Sequence, residues 1–309
     1  MTLPGADGIR QGRENETVNR GLIPLPTPFI TGMKLNSDVV FNDLVLNTID
    51  ENNVTWVCRD IGGWWGLPEP ELRNFTRGFG DGSYDVRGRW AARDIILQGS
   101  FFCPDPSLVA VARDKLVRAA SLVYQGGWLR TYEDPPRAAY VRLSGRPDIE
   151  TVTARGRTDF SIGLRAADPI KYEWSDQDPE GYSVIEIPAR NNSTGALGEG
   201  IVNNIGNTTV SAVFEIEGPL TGPTSILNVT TGELMLIIDS IPDGTFLEID
   251  TYFREVAVDG ETFGARSILE TLVDWVQLAP GQNVIAIQDE SNLNSTATLR
   301  VYYRSGWIG

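Results

Sequence analysis

Residues 209–260 read TVSAVFEIEGPLTGPTSILNVTTGELMLIIDSIPDGTFLEIDTYFREVAVDG, and this stretch decides the fold. Apolar and polar residues alternate through Thr209–Glu217, Ser225–Asn228, Leu234–Ile238, Phe246–Asp250 and Glu255–Val258. A period of two, rich in β-branched and aromatic side chains, is the pattern of a strand with one face in a core. Thr231-Gly232, Asp243-Gly244 and Asp259-Gly260 punctuate the runs with residues that accept turn conformations. Three more runs complete the set: Val184–Ile187, Asn283–Gln288, which follows Pro280-Gly281, and Thr298–Tyr303. No helical period interrupts them after Tyr182. The expectation for 181–309 is an antiparallel β-sandwich.

Upstream, the text becomes strand-like from about Val39. Val54–Ile61, two strands around Gly88 between Tyr84 and Phe102, Tyr140–Leu143, Thr151–Thr153 and Asp159–Arg165 all read as strands. One helix stands among them. Asp105-Pro106 supplies a cap and a first-turn proline, and Leu108, Ala112, Leu116, Ala119 and Val123 form an apolar stripe. Gly126-Gly127 ends it, so a helix over about 106–125 is expected to pack on a sheet. The polar run Ser175–Gly181 marks a boundary between a domain at 37–180 and one at 181–309. Residues 1–36, with Pro24, Pro26 and Pro28, read as an extended arm.

Composition limits the chemistry. The chain of 309 residues contains no histidine, which removes Ser-His-Asp and Cys-His catalysis and histidine-ligated metals. Its three lysines, Lys34, Lys115 and Lys171, fall in no phosphate-loop or Ser-x-x-Lys pattern. Cys58 and Cys103 are too few for a disulfide framework or a thiolate metal site and read as buried free thiols. The 41 Asp and Glu include candidates for a glycosidase pair, but most sit in turn contexts that explain them. Asp176–Gly181 imitates the start of a calcium loop, yet the twelfth position is Ile187 where a bidentate Glu is needed. Gly78-Phe79-Gly80-Asp81-Gly82 lacks the strand–helix context of a phosphate cradle and reads as a hairpin or loop. No cofactor is expected, and no enzyme. A net charge of −15 disfavours nucleic-acid binding, and no apolar stretch approaches the roughly 20 residues that span a bilayer.

The order of features resembles the distal tail proteins, or minor tail proteins, of siphophages infecting high-GC hosts; 23 of the 26 basic residues are Arg, in keeping with GC-rich coding. The marks are Arg93–Gly99 before the helix, Gly163–Tyr172 at the end of the first domain, and then Asn228–Glu233, Glu248–Thr251 and Trp275–Asn283. The resemblance implies a mainly β chain, with a split-barrel-like first domain carrying one helix and a galectin-like second domain. It implies a hexameric ring at the tip of a long non-contractile tail, made in the host cytoplasm. The implied partners are copies of itself, the tail tube protein, the tape-measure protein, and tail-tip hub or receptor-binding proteins. Candidate interface residues are Trp56, Trp64, Trp65, Arg87, Arg89, Arg93 and Arg113, together with the helix face. Under an alternative reading as a carbohydrate-binding or receptor-binding module, Trp275 and Trp307 are the candidate sugar-stacking residues. A cell-wall glycosidase is the third reading.

Overall fold

The structure is a computed structural model. It describes residues 39–72, 75–86, 88–121, 126–150, 156–175, 182–189, 198–262, 264–270, 274–289 and 296–309. The expected arm at 1–36, the strand at Thr151–Thr153 and the acidic run Asp176–Gly181 lie outside these residues. Among the described residues the chain forms two compact units: 39–176 with Trp307–Gly309, and 177–306. The expected second domain, 181–309, differs from this division in its last three residues.

In the first unit the chain lays down β1 (Val39–Phe41), β2 (Leu44–Leu46), β3 (Thr48–Ile49), β4 (Thr55–Gly62) and β5 (Arg93–Phe102). Helix α1 (Val109–Ala120) follows, then β6 (Gly127–Thr131), β7 (Arg137–Leu143), β8 (Arg157–Ala166) and β9 (Lys171–Glu173). Hydrogen bonding runs in the order β2-β1-β6-β7-β8-β5-β4-β3, every pair antiparallel. The two ends of this path, β2 and β3, are separated in sequence by Asn47 alone. The sheet therefore curls, so that its two end strands come next to each other. Asn47 makes the corner in a left-handed conformation (φ 59°), and its Oδ1 accepts the amide of Cys58 at 2.8 Å. β7 divides its free edge, pairing β9 through Arg137 and Ala138 and β8 through Arg142 and Leu143, so the barrel is split there.

The alternation read from sequence fills this barrel. β8 buries Thr158, Phe160, Ile162, Leu164 and Ala166, and its partner β5 buries Ile95, Leu97 and Phe101. Gly99 lies where any Cβ would meet Phe160 and the Val57 carbonyl at 2.4 Å. Glycine is obligatory at such a close approach. Asp105 caps a 3-10 turn at Pro106–Leu108 by accepting the amide of Ser107, and α1 follows. The helix buries Val109, Ala112, Leu116, Ala119 and Ala120 and ends at Ala120; Val123 lies outside the described residues.

The second unit contains β10 (Ser183–Pro188), β11 (Gly198–Asn204), β12 (Val210–Glu217), β13 (Thr224–Asn228), β14 (Glu233–Ile237), β15 (Phe246–Asp250), β16 (Glu255–Val258), β17 (Gln277–Leu278), β18 (Gly281–Asp289) and β19 (Thr298–Tyr303). One sheet runs β10-β19-β12-β15-β16, with β17 added beside β12; the other runs β11-β18-β13-β14. Phe214, Ile216, Leu247, Ile249, Leu299 and Val301 of the first are buried, as are Val202, Ile226, Met235, Ile237, Ile285 and Ile287 of the second. Gly200 of β11 leaves the space that the Ile187 side chain of β10 fills, so the two sheets meet at that edge. This is the sandwich the alternation required.

Candidate functional site

β4 and β5 are neighbours in the barrel wall, and the 30 residues joining them, 63–92, leave the wall as an arm. Two short ladders build it: Pro70–Glu71 pairs with Arg89–Trp90, and Phe75–Thr76 pairs with Ser83–Tyr84. At the tip, Gly80 and Gly82 take positive φ values that L side chains rarely adopt, and Arg77 stacks its guanidinium over Tyr84 at 5.6 Å. Gly78–Gly82 is thus the hairpin tip expected from its glycines. The large side chains of this arm face water. Trp65, Leu67, Leu72, Phe75, Phe79, Tyr84, Val86 and Trp90 are all exposed, Phe79 completely so. Their summed exposed surface is on the order of 1,000 Å².

A buried polar cluster fixes the base of the arm. Arg93 is 1% exposed and gathers the carbonyls of Gly63 (2.9 Å), Trp64 (3.3 Å), Gly66 (2.7 Å) and Pro169 (3.0 Å), with Ile308 as a fifth acceptor. Lys171, fully buried, donates to the Trp64 carbonyl at 2.9 Å and sits 5.0 Å from the centre of the Trp64 ring. Burial pushes the Lys171 ammonium down to about 8; Glu133 opposes that shift, and the neighbouring Arg93 and Arg137 add to it. The Trp64 indole donates to Glu133, which also accepts from Thr131 and pairs with Arg137. Gly63 has φ 80°, and a Cβ there would lie 2.1 Å from the Asp94 carbonyl. The turn at Gly63–Gly66 is therefore held by hydrogen bonds and by shape, and it points Trp64 inward and Trp65 outward.

These positions correct part of the expected interface. Trp56 and Trp64 are wholly buried and Arg93 nearly so, which makes all three core or anchoring residues of this unit. The Trp56 indole donates to Asp50, and Val54 and Lys115 donate to the same carboxylate; together they outweigh its burial and hold its pKa below the usual range. Trp65, Arg89 and Arg113 are exposed; Arg87 lies outside the described residues. Trp307 offers no free face for a sugar: it is 6% exposed and covered by Arg137 at 4.7 Å. Trp275 is half-buried beneath Arg266 at 5.3 Å. Apart from Trp65, sequence reading missed the apolar residues of the arm, whose signal was their density between 65 and 90 within turn-forming text. Among the described residues no group of three acidic or cysteine side chains is placed to hold a metal ion.

Residues 205–307 match the family model described as the siphovirus-type tail component, C-terminal domain. The fold as a whole is similar to the crystal structure of the Dit protein of phage SPP1, with a TM-score of 0.55 at 11% identity. That match covers 88% of this chain and 99% of the SPP1 protein. The chain resembles the siphophage distal tail proteins. A second match is to the phage P2 baseplate in its activated conformation, with a TM-score of 0.40 at 8% identity, over 87% of this chain and 98% of that one. No curated protein matches the sequence.

In this Dit-like chain the second unit carries its own polar framework. Asn204, Asn228 and Asn283 are fully buried and spend their amides on backbone carbonyls: Asn204 on Thr208 and Leu278, Asn228 on Gln277, Asn283 on Ala279 and Gly281. Asn228 and Asn283 belong to the segments that carried the resemblance, and what they do is hold β17 and the turn that follows it. Buried amides must be satisfied, and these are.

Proposed function

We propose that this chain is a non-enzymatic structural protein of the phage virion, sited at the tip of a long non-contractile tail. Copies of the first unit form a closed ring, six by the resemblance, that joins the tail tube to the adsorption apparatus and lets the tape-measure protein and DNA pass. The second unit, a sandwich of galectin-like shape, projects from that ring. The observation that carries this reading is the arm of residues 65–90, which leaves eight large apolar side chains in water. A ring of one chain needs heterologous contacts repeated by rotation.

Charge supports the division of labour. Residues 177–306 hold 18 Asp and Glu against five Arg and no Lys, whereas 39–176 hold 19 against 17. Six strongly acidic sandwiches repel one another, while near-neutral barrels pack side by side. Purified protein of 33.9 kDa is expected to give particles of about 200 kDa by mass photometry, with sixfold rings in negative stain. Tails imaged with no density for this chain at the tip would sink the proposal.

The carbohydrate-binding reading keeps one observation in its favour. Tyr252 and Phe253 form an exposed edge-to-face pair, their amides held by Asp250, on the turn between β15 and β16. Glycan-array binding that is lost in Tyr252→Ala would support it.

A further inference from the structure

The first unit is built from two separate stretches of chain. Residues 39–176 supply the barrel and the arm, and Trp307–Gly309 return to it after the whole of 177–306 has intervened. The return is short but closely bonded. Trp307 is buried and lies in β20 (Gly306–Trp307), which pairs with β9. The Arg137 guanidinium covers its ring at 4.7 Å and donates to the Gly309 main-chain oxygen at 3.3 Å. The Ile308 carbonyl is the fifth acceptor of Arg93. A Cβ built on Gly309 would lie 3.5 Å from Cδ2 of Leu67, so Gly309 sits beside the start of the arm.

These contacts lead by three routes to the turn from which the arm leaves the barrel. Arg93, which bonds Ile308, also holds the carbonyls of Gly63, Trp64 and Gly66. β9, the partner of β20, carries Lys171, which holds the Trp64 carbonyl a second time. Arg137, which covers Trp307, pairs with Glu133, the acceptor of the Trp64 indole. A buried polar network of this kind holds one geometry only while its members are all satisfied. We infer that residues 307–309 are a strap that closes the base of the arm, and that the arm takes a fixed posture only once the strap is seated.

Chain order gives the strap a consequence for assembly, and this part rests on the ring reading. Segments of a chain fold in the order in which they are made. The barrel strands and the arm precede the second unit, and the strap follows it. A copy that stops short of Trp307 therefore carries a loose arm and stays out of the ring. Incorporation becomes conditional on a fully made second unit.

The test is hydrogen exchange, read by mass spectrometry, on the parent, on a chain stopped after Gly306, and on Trp307→Ala in the full chain. The amides of Trp64 and Ala91, bonded to the Ile61 and Glu69 carbonyls, report on the base of the arm. Both variants are expected to exchange there about tenfold faster than the parent, with β13 and β14 at parent rates. Trp307→Phe, which keeps a ring beneath Arg137, should stay within about twofold of the parent. Trp307→Ala carries the comparison on its own if the stopped chain fails to fold. Parent rates at the arm base overturn the strap. So does an equal acceleration in β13 and β14, which would mean a general loss of stability. In negative stain the stopped chain should give no rings where the parent gives them, and rings from both overturn the coupling to assembly. A parent that forms no rings counts against the ring reading alone, because the exchange rates decide the strap without it.

Discussion

Arg93 shows what a single residue does in this molecule. Its guanidinium supplies donors to four backbone carbonyls at ordinary hydrogen-bond distances and to a fifth at Ile308, and no carboxylate touches it among the bonds described. Arg93→Met should leave those carbonyls buried without donors and cost about 3 kcal/mol or more in a denaturant melt. Arg93→Lys should recover little, because an ammonium cannot reproduce the planar fork. Lys171 gives a pH signature. Its pKa is about 8 in the folded chain against 10.5 for a free lysine, so between those values the unfolded chain binds more protons. Stability should therefore rise with pH from about 8 to 10.5, by on the order of 3 kcal/mol, and the full cost of the buried charge is present below pH 8. Urea melts across that range should show a rise in the parent that is absent in Lys171→Met. A parent curve parallel to the variant's would count against a buried, titrating Lys171.

At the scale of elements, strands were legible and their partners were not. β12 and β19 appear in the sequence because apolar residues recur at every second position, and the structure buries those same positions; β15 is buried on both faces, Glu248 and Asp250 included. β11 was passed over because Gly198-Glu199-Gly200-Ile201-Val202-Asn203-Asn204 has two glycines and no sustained alternation. It is a strand because β18 supplies seven partners in register. The helix was found from its cap and stripe, although it ends earlier than the glycines at 126 and 127 suggested. Register also creates an ion cluster that sequence does not announce. Arg300 on β19 lies opposite Glu186 of β10 and Glu215 of β12, bonding both at 2.9 and 3.0 Å and Glu217 at 3.1 Å. Burial lowers its pKa, but these carboxylates more than offset that and raise it above its ordinary value. Arg300→Gln should destabilise the sandwich by about 1–2 kcal/mol at pH 7, since three carboxylates lose their shared cation.

For the whole molecule, the uneven charge has a measurable consequence. The acidic excess of 177–306 destabilises the compact state by self-repulsion that salt screens over a Debye length of about 8–10 Å. Raising NaCl from about 20 to 300 mM should therefore increase stability by on the order of 1 kcal/mol. A decrease would mean that attractive pairs such as those of Arg300 dominate instead.

The sequence by itself determined the class of the fold and its chemistry. Strand alternation and one capped helix dictate a helix packed on a sheet and then a sandwich, because side-chain period and turn preference are local properties; the barrel entered only through the resemblance. The missing histidine closes off the commonest catalytic devices whatever the fold. Only the tertiary structure decided which tryptophan of the pair 64–65 faces inward, that Arg93 anchors a turn instead of meeting a neighbour, and that Trp307 is covered. Those outcomes depend on atoms brought together from positions as far apart as 63, 93, 171 and 308, and no local pattern records such distant contacts.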